Sequence, residues 1–96
     1  MTYTKSLVCN NLKTCRICGA SNAEVHHVFF GPFRKSSEKY GMKVALCPTH
    51  HRGLKTGVHG GNTAIDLRLK KEAQEAFERV YGHDKFMDVF CRNYLD

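Results

Sequence analysis

The chain has 96 residues, of which 42% are hydrophobic and 25% charged, and its formal net charge is +6. A chain of this length forms one small domain, and no stretch of it approaches the roughly 20 apolar residues of a membrane span. The positive charge favours an anionic partner such as a nucleic acid, although ordinary solubilising charge explains the composition equally well. We therefore expect a single domain over residues 1–96 and no membrane partner.

The N-terminal part of the chain predicts a lead-in followed by a metal-binding turn. Residues 1–14 are polar and lack the apolar run of a secretory signal, and the total of five cysteines is odd. These features predict a reduced, cytoplasmic setting, in which clustered cysteines bind metal rather than form disulfides. Cys15 and Cys18, followed by Gly19, have the spacing of a knuckle that directs two thiolates at one ion.

Two short strands are predicted in the middle of the chain. Residues 24–30 are β-branched and aromatic, which is typical of a strand, and Gly31 and Pro32 end it. Residues 33–41 are polar and predict a loop with one helical turn near its end. Residues 43–46 then predict the second strand.

The rest of the pattern is helical. Pro48 is tolerated in a first helical turn and predicts a short helix that runs to about Lys55. From Thr63 apolar residues recur at three- and four-residue spacing, which predicts a longer helix, and residues 84–94 predict a last short one. The domain therefore divides into three parts: a lead-in (1–14), a metal-rich core (15–61) and a helical extension (62–96).

Four residues have the paired spacing of zinc ligands: Cys15, Cys18, Cys47 and His50. Two such pairs in a short chain allow two turns to hold one tetrahedral Zn²⁺. A closed set of four ligands leaves no position for a substrate, so this zinc would be structural. The alternative is that the cysteines are small buried apolar residues and that the histidine lies on the surface.

The other histidines predict a second, open metal site. Successive residues of a strand point to opposite faces, so His26 and His27 are not expected to bind the same ion. His51 follows His50 by about 100° around a helix and therefore points to a different site. We expect His26 and His51, with His59 as a further candidate, to hold a catalytic divalent cation: Mg²⁺, Mn²⁺, Ni²⁺ or Zn²⁺. The alternative for each histidine is an ordinary surface or core side chain.

This set of residues predicts metal-assisted hydrolysis of a phosphodiester. The cation would bind a non-bridging phosphate oxygen and stabilise the leaving oxygen. Neutral His27 would take a proton from the attacking water, a task that suits a group titrating near neutral pH. Arg52 and Lys55 are the candidates for phosphate binding.

Taken in order, these residues resemble an HNH endonuclease of the ββα-metal, or His-Me finger, class. The pattern of that family is a Cys-x-x-Cys knuckle, a strand ending in Asp-His or His-His, a second strand, and Leu-Cys-x-x-Cys/His-His on a helix. Residues 15–18, 24–28 and 46–51 match it in that order, and the resemblance covers residues 15 to about 59. It implies an α+β fold with a zinc-stabilised ββα-metal core, followed here by two C-terminal helices.

The resemblance also implies DNA as the partner and gives roles to three histidines: His26 and His51 bind the metal, and His27 is the general base. The chain departs from the family in two ways. The middle Asn, which orients the base or holds the fold, is missing from residues 41–44. In a phage-associated branch a further downstream His serves the metal site, and His59 has that position.

Two other functions are compatible with the sequence. One is a zinc-stabilised nucleic-acid-binding module without catalysis, which the missing Asn favours and the intact His26, His27 and His51 disfavour. The other is a small zinc protein that binds other proteins, against which the basic residues near the histidines count. The sequence does not determine the oligomeric state or the choice between DNA and RNA.

Overall fold

The computed structural model describes residues 6–9 and 11–95 and has the predicted α+β class. Its elements are two strands and four α-helices: β1 (Glu24–His27), α1 (Arg34–Tyr40), β2 (Lys43–Leu46), α2 (Pro48–Arg52), α3 (Thr63–Tyr81) and α4 (His83–Phe90). No helix in these ranges is long and apolar enough to cross a membrane. Of the predicted lead-in, residues 1–5 and 10 lie outside the described part.

The two strands form an antiparallel pair whose register sets His26 opposite Val44 and His27 opposite Lys43. The first strand was predicted over residues 24–30, but β1 ends at His27. The backbone of Phe29 has no strand partner; instead its N–H donates to Ser37 Oγ (3.1 Å), and its carbonyl accepts from the same hydroxyl (2.6 Å). The chain thereby leaves the sheet and turns into α1.

The connection between the strands is more helical than predicted. A 3-10 turn, Gly31–Phe33, leads directly into α1, which has seven residues instead of one turn. Gly41 ends α1 with φ 70°, a left-handed conformation that glycine adopts at no steric cost. Helix α1 therefore lies between the two strands in the chain and contacts β1.

Helix α2 is shorter than predicted, because it ends at Arg52 instead of about Lys55. The N–H of Gly53 closes the helix on the carbonyls of Pro48 and Thr49. Lys55 has φ 63°, which a helix does not accommodate. The chain beyond α2 is a tight turn that folds back along the helix.

Helices α3 and α4 cover the sheet and complete the core, whose aromatic centre is Phe29, Phe77, Phe86 and Phe90. The Asn62 side chain caps α3 by accepting from the N–H of Ile65 (3.1 Å). The predicted last helix is too long, because α4 ends at Phe90. The fully buried Gln74 of α3 binds the segment that follows: it donates to Asn93 and accepts from the N–H of Tyr94, both at 2.7 Å.

Two candidate metal centres

The first candidate centre, the sulfur group, consists of Cys15, Cys18, Cys47 and His50, whose ligand atoms lie within 4.8 Å of one another. The knuckle is built from backbone bonds: Cys15 donates to the carbonyl of Ala20 (2.8 Å), and Gly19, with φ 79°, donates back to Cys15 (2.9 Å). The N–H of Arg16 joins the knuckle to β2 at Ala45 (2.7 Å).

The spacing inside the sulfur group fits a tetrahedral zinc site. Thiolates at the usual Zn–S distance of about 2.3 Å lie roughly 3.8 Å apart in a tetrahedron. Cys18 Sγ and Cys47 Sγ are 3.7 Å apart, and His50 Nδ1 lies 3.3 Å from Cys47 Sγ and 3.7 Å from Cys15 Sγ. All five cysteines of the chain are free thiols. The group can therefore hold a metal such as zinc.

The electrostatics of the sulfur group favour a cation. Burial opposes ionisation of Cys15, but N–H groups of Cys47, Cys18 and Ile17 and the His50 ring outweigh it and lower the Cys15 pKa to about 6. The N–H of Ala20 favours the Cys18 thiolate, yet desolvation and the sulfurs of Cys47 and Cys15 raise the Cys18 pKa above its usual value. A bound cation would relieve this competition between thiolates.

The second candidate centre, the histidine group, consists of His26, His51 and His59, again with ligand atoms within 4.8 Å of one another. It draws on three separate parts of the fold: β1, α2 and the turn that follows α2. The ring centroids are 5.1 Å apart for His26 and His51, 5.1 Å for His26 and His59, and 4.8 Å for His51 and His59. The structure thus brings together the three histidines that the sequence proposed for a catalytic cation.

One nitrogen of the buried His26 ring lacks a hydrogen-bond partner within the described chain. Its Nε2 is buried and bonds to none of those residues, which is unusual for a polar atom. Burial, followed by the charges of His51 and His59, lowers the His26 pKa to about 3, and burial with the charge of His51 also lowers the His59 pKa. Neutral imidazoles with an unused lone pair fit a divalent cation.

A carboxylate fixes the orientation of His51. His51 Nδ1 lies 2.7 Å from Glu24 Oε1, so the Nδ1–H tautomer donates to Glu24 and leaves Nε2 as the metal-binding nitrogen. This bond, with Arg52 Nε at 3.6 Å adding positive charge, lowers the Glu24 pKa although desolvation opposes it. Glu24 therefore orients the His51 ring within the histidine group.

Removing this carboxylate should weaken the histidine group without disturbing the sulfur group. We expect Glu24→Gln to lower the affinity for Co²⁺, added to zinc-loaded protein, about 10–100-fold, because outer ligands orient the imidazole and raise its basicity. Glu78→Gln is the matched control, since Glu78 makes the same 2.7 Å contact with a histidine far along the chain, His83. Equal Co²⁺ affinity in the two variants, measured from the visible absorbance, would contradict this role of Glu24.

The turn after α2 carries His59 back over His51. The N–H groups of Val58 and His59 donate to the carbonyls of His50 and His51, both at 2.9 Å. The approach is close because it uses glycines: a Cβ on Gly57 would lie 2.6 Å from backbone nitrogens of α2 and Gly53. A Cβ on Gly60 would overlap the carbonyl of Gly53. These glycines are therefore needed to place the third imidazole.

His27 has its own carboxylate partner. His27 Nε2 lies 2.8 Å from Glu38 Oε1 in α1, and the second oxygen of Glu38 accepts from Lys43 Nζ at 2.9 Å. His27 is 8% exposed, and Lys43 is completely buried. His27, the predicted base, thus lies beside a carboxylate that is itself hydrogen-bonded to Lys43.

One cavity of about 230 Å³ joins the histidine group to His27. Its lining residues are Val25, His26, His27, Phe30, Arg34, His51, Arg52 and His59. Of the two predicted phosphate-binding residues, Arg52 lines the cavity, whereas Lys55 is not among the described lining residues and points its backbone N–H at Gly60. Arg34, at the start of α1, lies there instead. The cavity therefore offers two guanidinium groups beside the imidazoles.

Helix α3 also reaches the histidine group. The Phe30 ring lies 5.0 Å from the His59 ring and 5.9 Å from the His26 ring, and Lys70 Nζ lies 4.6 Å above the Phe30 ring. Lys70 is paired with Asp66 at 2.8 Å. The helical extension, predicted only as apolar mass, thus contacts Phe30, one of the residues that line the cavity.

Three functional candidates did not follow from the sequence alone: Glu24, Glu38 and Arg34. A signal was present for the two acids, because Glu38 is the one acidic residue of the chain between Glu24 and Asp66. The histidines of that stretch have few other carboxylates to meet. Arg34 had no signal, since its place depends on α1 starting at that residue.

Comparisons with protein-family models, with curated protein sequences and with solved structures gave no significant match.

Proposed function

We propose that the chain is a metal-dependent endonuclease of the HNH type that hydrolyses phosphodiester bonds of DNA. The observation that carries the proposal is the convergence of His26, His51 and His59 in a cavity that His27 also lines. The order knuckle, strand, strand, helix and the closed sulfur group agree with that class. In this proposal the sulfur group holds a structural Zn²⁺ and the histidine group holds the catalytic cation.

The residues of the chain divide the reaction between them. His26, His51 and His59 would hold a divalent cation, which would supply Lewis-acid stabilisation of the phosphate and of the leaving oxygen. His27 takes a proton from the attacking water, because a neutral imidazole is the side chain best matched to that transfer near pH 7. Arg34 and Arg52 bind phosphate oxygens at the mouth of the cavity. The wall formed by Phe30 limits access of water to the imidazoles.

Supercoiled plasmid cleavage tests the proposal. Purified zinc-loaded protein would be incubated with plasmid and Mg²⁺, Mn²⁺, Ni²⁺ or Zn²⁺ in turn, beside His51→Ala and the control His83→Ala, whose ring contacts Glu78 on the surface. We expect nicked or linear DNA with wild type and the control, and at least a 100-fold slower reaction with His51→Ala, since a lost ligand removes the cation's contribution of several kcal/mol. Equal cleavage by His51→Ala would refute the proposed site.

A non-catalytic nucleic-acid-binding module is the second candidate, and the absence of an Asn from residues 41–44 favours it. The same assay separates the two functions. No cleavage with any of the four ions, together with DNA binding that weakens steeply with salt, would support the module and exclude the nuclease.

A further inference from the structure

Two partly buried hydrogen bonds connect Lys43 of β2, through Glu38 of α1, to His27 of β1. Lys43 Nζ donates to Glu38 Oε2 at 2.9 Å, and Glu38 Oε1 lies 2.8 Å from His27 Nε2. Lys43 and His27 are also opposite each other in the sheet register. Glu38 therefore spans a pair of residues that the two strands already fix.

The two ends of this series limit where Glu38 can point. The Lys43 side chain is completely buried and that of His27 is 9% exposed, whereas the Glu38 side chain is 32% exposed. A buried ammonium requires a counter-charge, so it holds one carboxylate oxygen in place. The other oxygen is then fixed on the His27 ring.

Because this rests on the proposed nuclease function, it concerns the same reaction. We propose that Glu38, held by Lys43, is the positioning residue of the general base: it accepts the Nε2–H of His27 and so leaves Nδ1 as the nitrogen that takes the proton.

The physical reason lies in the two tautomers of a neutral imidazole. One ring nitrogen donates and the other accepts, and the partner of the donor decides which is which. An ionised carboxylate can only accept, so a ring nitrogen that faces it must carry the hydrogen. The same bond also fixes the plane of the ring, and a proton acceptor works only within hydrogen-bond reach of its target.

A pair of variants isolates the carboxylate from its buried partner. Glu38→Gln alone would replace the carboxylate that accepts from the buried Lys43 Nζ at 2.9 Å, so a loss of stability would be mixed with any effect on His27. We therefore compare Lys43→Met with the double variant Glu38→Gln/Lys43→Met, because both lack the ammonium and they differ only at the carboxylate. Melting temperature and zinc content of the two show whether each is folded.

The readouts are a single-turnover rate on plasmid with Mn²⁺, the plasmid affinity, and the ring protonation of His27. We expect the double variant to react about 100-fold more slowly than Lys43→Met and to bind plasmid with the same affinity. A loss of rate of about 100-fold is the lower end of a general base's 10²–10⁴-fold contribution. Long-range ¹H–¹⁵N spectra of histidine-labelled protein should place the His27 hydrogen on Nε2 in wild type and in Lys43→Met. In the double variant they should show a mixture of the Nδ1–H and Nε2–H tautomers.

The outcomes separate the inference from the function on which it rests. Equal rates of the two variants, or a hydrogen on Nδ1 in wild type, would overturn the role of Glu38 and leave the nuclease intact. A wild-type chain that cleaves no plasmid with any ion would overturn the nuclease. In that case the ring spectra alone decide whether Glu38 sets the tautomer.

Discussion

Replacing Cys47 with serine should abolish zinc binding by the sulfur group and unfold residues 15–61. Cys47 Sγ contacts both Cys18 Sγ (3.7 Å) and His50 Nδ1 (3.3 Å), and its carbonyl accepts from the N–H of His51 (2.8 Å). Structural zinc binding contributes about 10–16 kcal/mol in small zinc domains. That contribution is comparable with the roughly 5–15 kcal/mol net stability of a whole domain.

Metal analysis of purified protein and circular dichroism measure this effect. We expect about one tightly held zinc per wild-type chain and none in Cys47→Ser. Cys91→Ser is the control, because the Cys91 thiol is exposed and lies outside the sulfur group. A folded Cys47→Ser protein with its full zinc content would show that the sulfur group does not hold the fold.

Replacing His27 with alanine should lower the rate of DNA cleavage about 10²–10⁴-fold, the usual contribution of a general base. The three imidazoles of the histidine group are left in place, so the affinity for Co²⁺ and the affinity for plasmid should stay close to wild type. This separates the variant from His51→Ala, which should lose both the cation and the reaction.

Single-turnover cleavage, with Co²⁺ binding measured on the same samples, provides the test. The side chain of His27 is 9% exposed, so its removal opens a small cavity, and the melting temperature serves as the control for folding. Unchanged cleavage by His27→Ala would exclude it as the base and leave the proton transfer to another group.

The sequence predicted the type and order of the elements near the ligands, because glycine, proline and strand-forming residues mark them locally, but it predicted only some of their ends. The second strand begins at Lys43 and ends at Leu46, as predicted. The first strand was predicted too long, since the Ser37 hydroxyl, and not a second strand, binds the Phe29 carbonyl. Helix α2 was predicted too long, since Gly53 ends it after Arg52. Both events depend on contacts that no local pattern shows.

The sulfur group was predictable because the spacing within each of its two pairs is local. The histidine group was predicted from the histidines that remained once those four ligands were assigned. The contacts of Glu24 with His51 and of Glu38 with His27 were not, since 27 and 11 residues separate the partners. They follow only once the strand register and the packing of α1 are fixed. The cavity position of Arg34 depends on the same packing.

The adjacent histidines of α2 belong to different centres, with His50 in the sulfur group and His51 in the histidine group. One peptide bond joins them, so an ion that immobilises His50 also orders the backbone from which His51 projects. A second ion then binds a chain that has already lost that freedom, which makes loading cooperative. Linkage requires each ion to tighten the other by the same factor. Scarcity of one metal would therefore lower the affinity of the protein for the other.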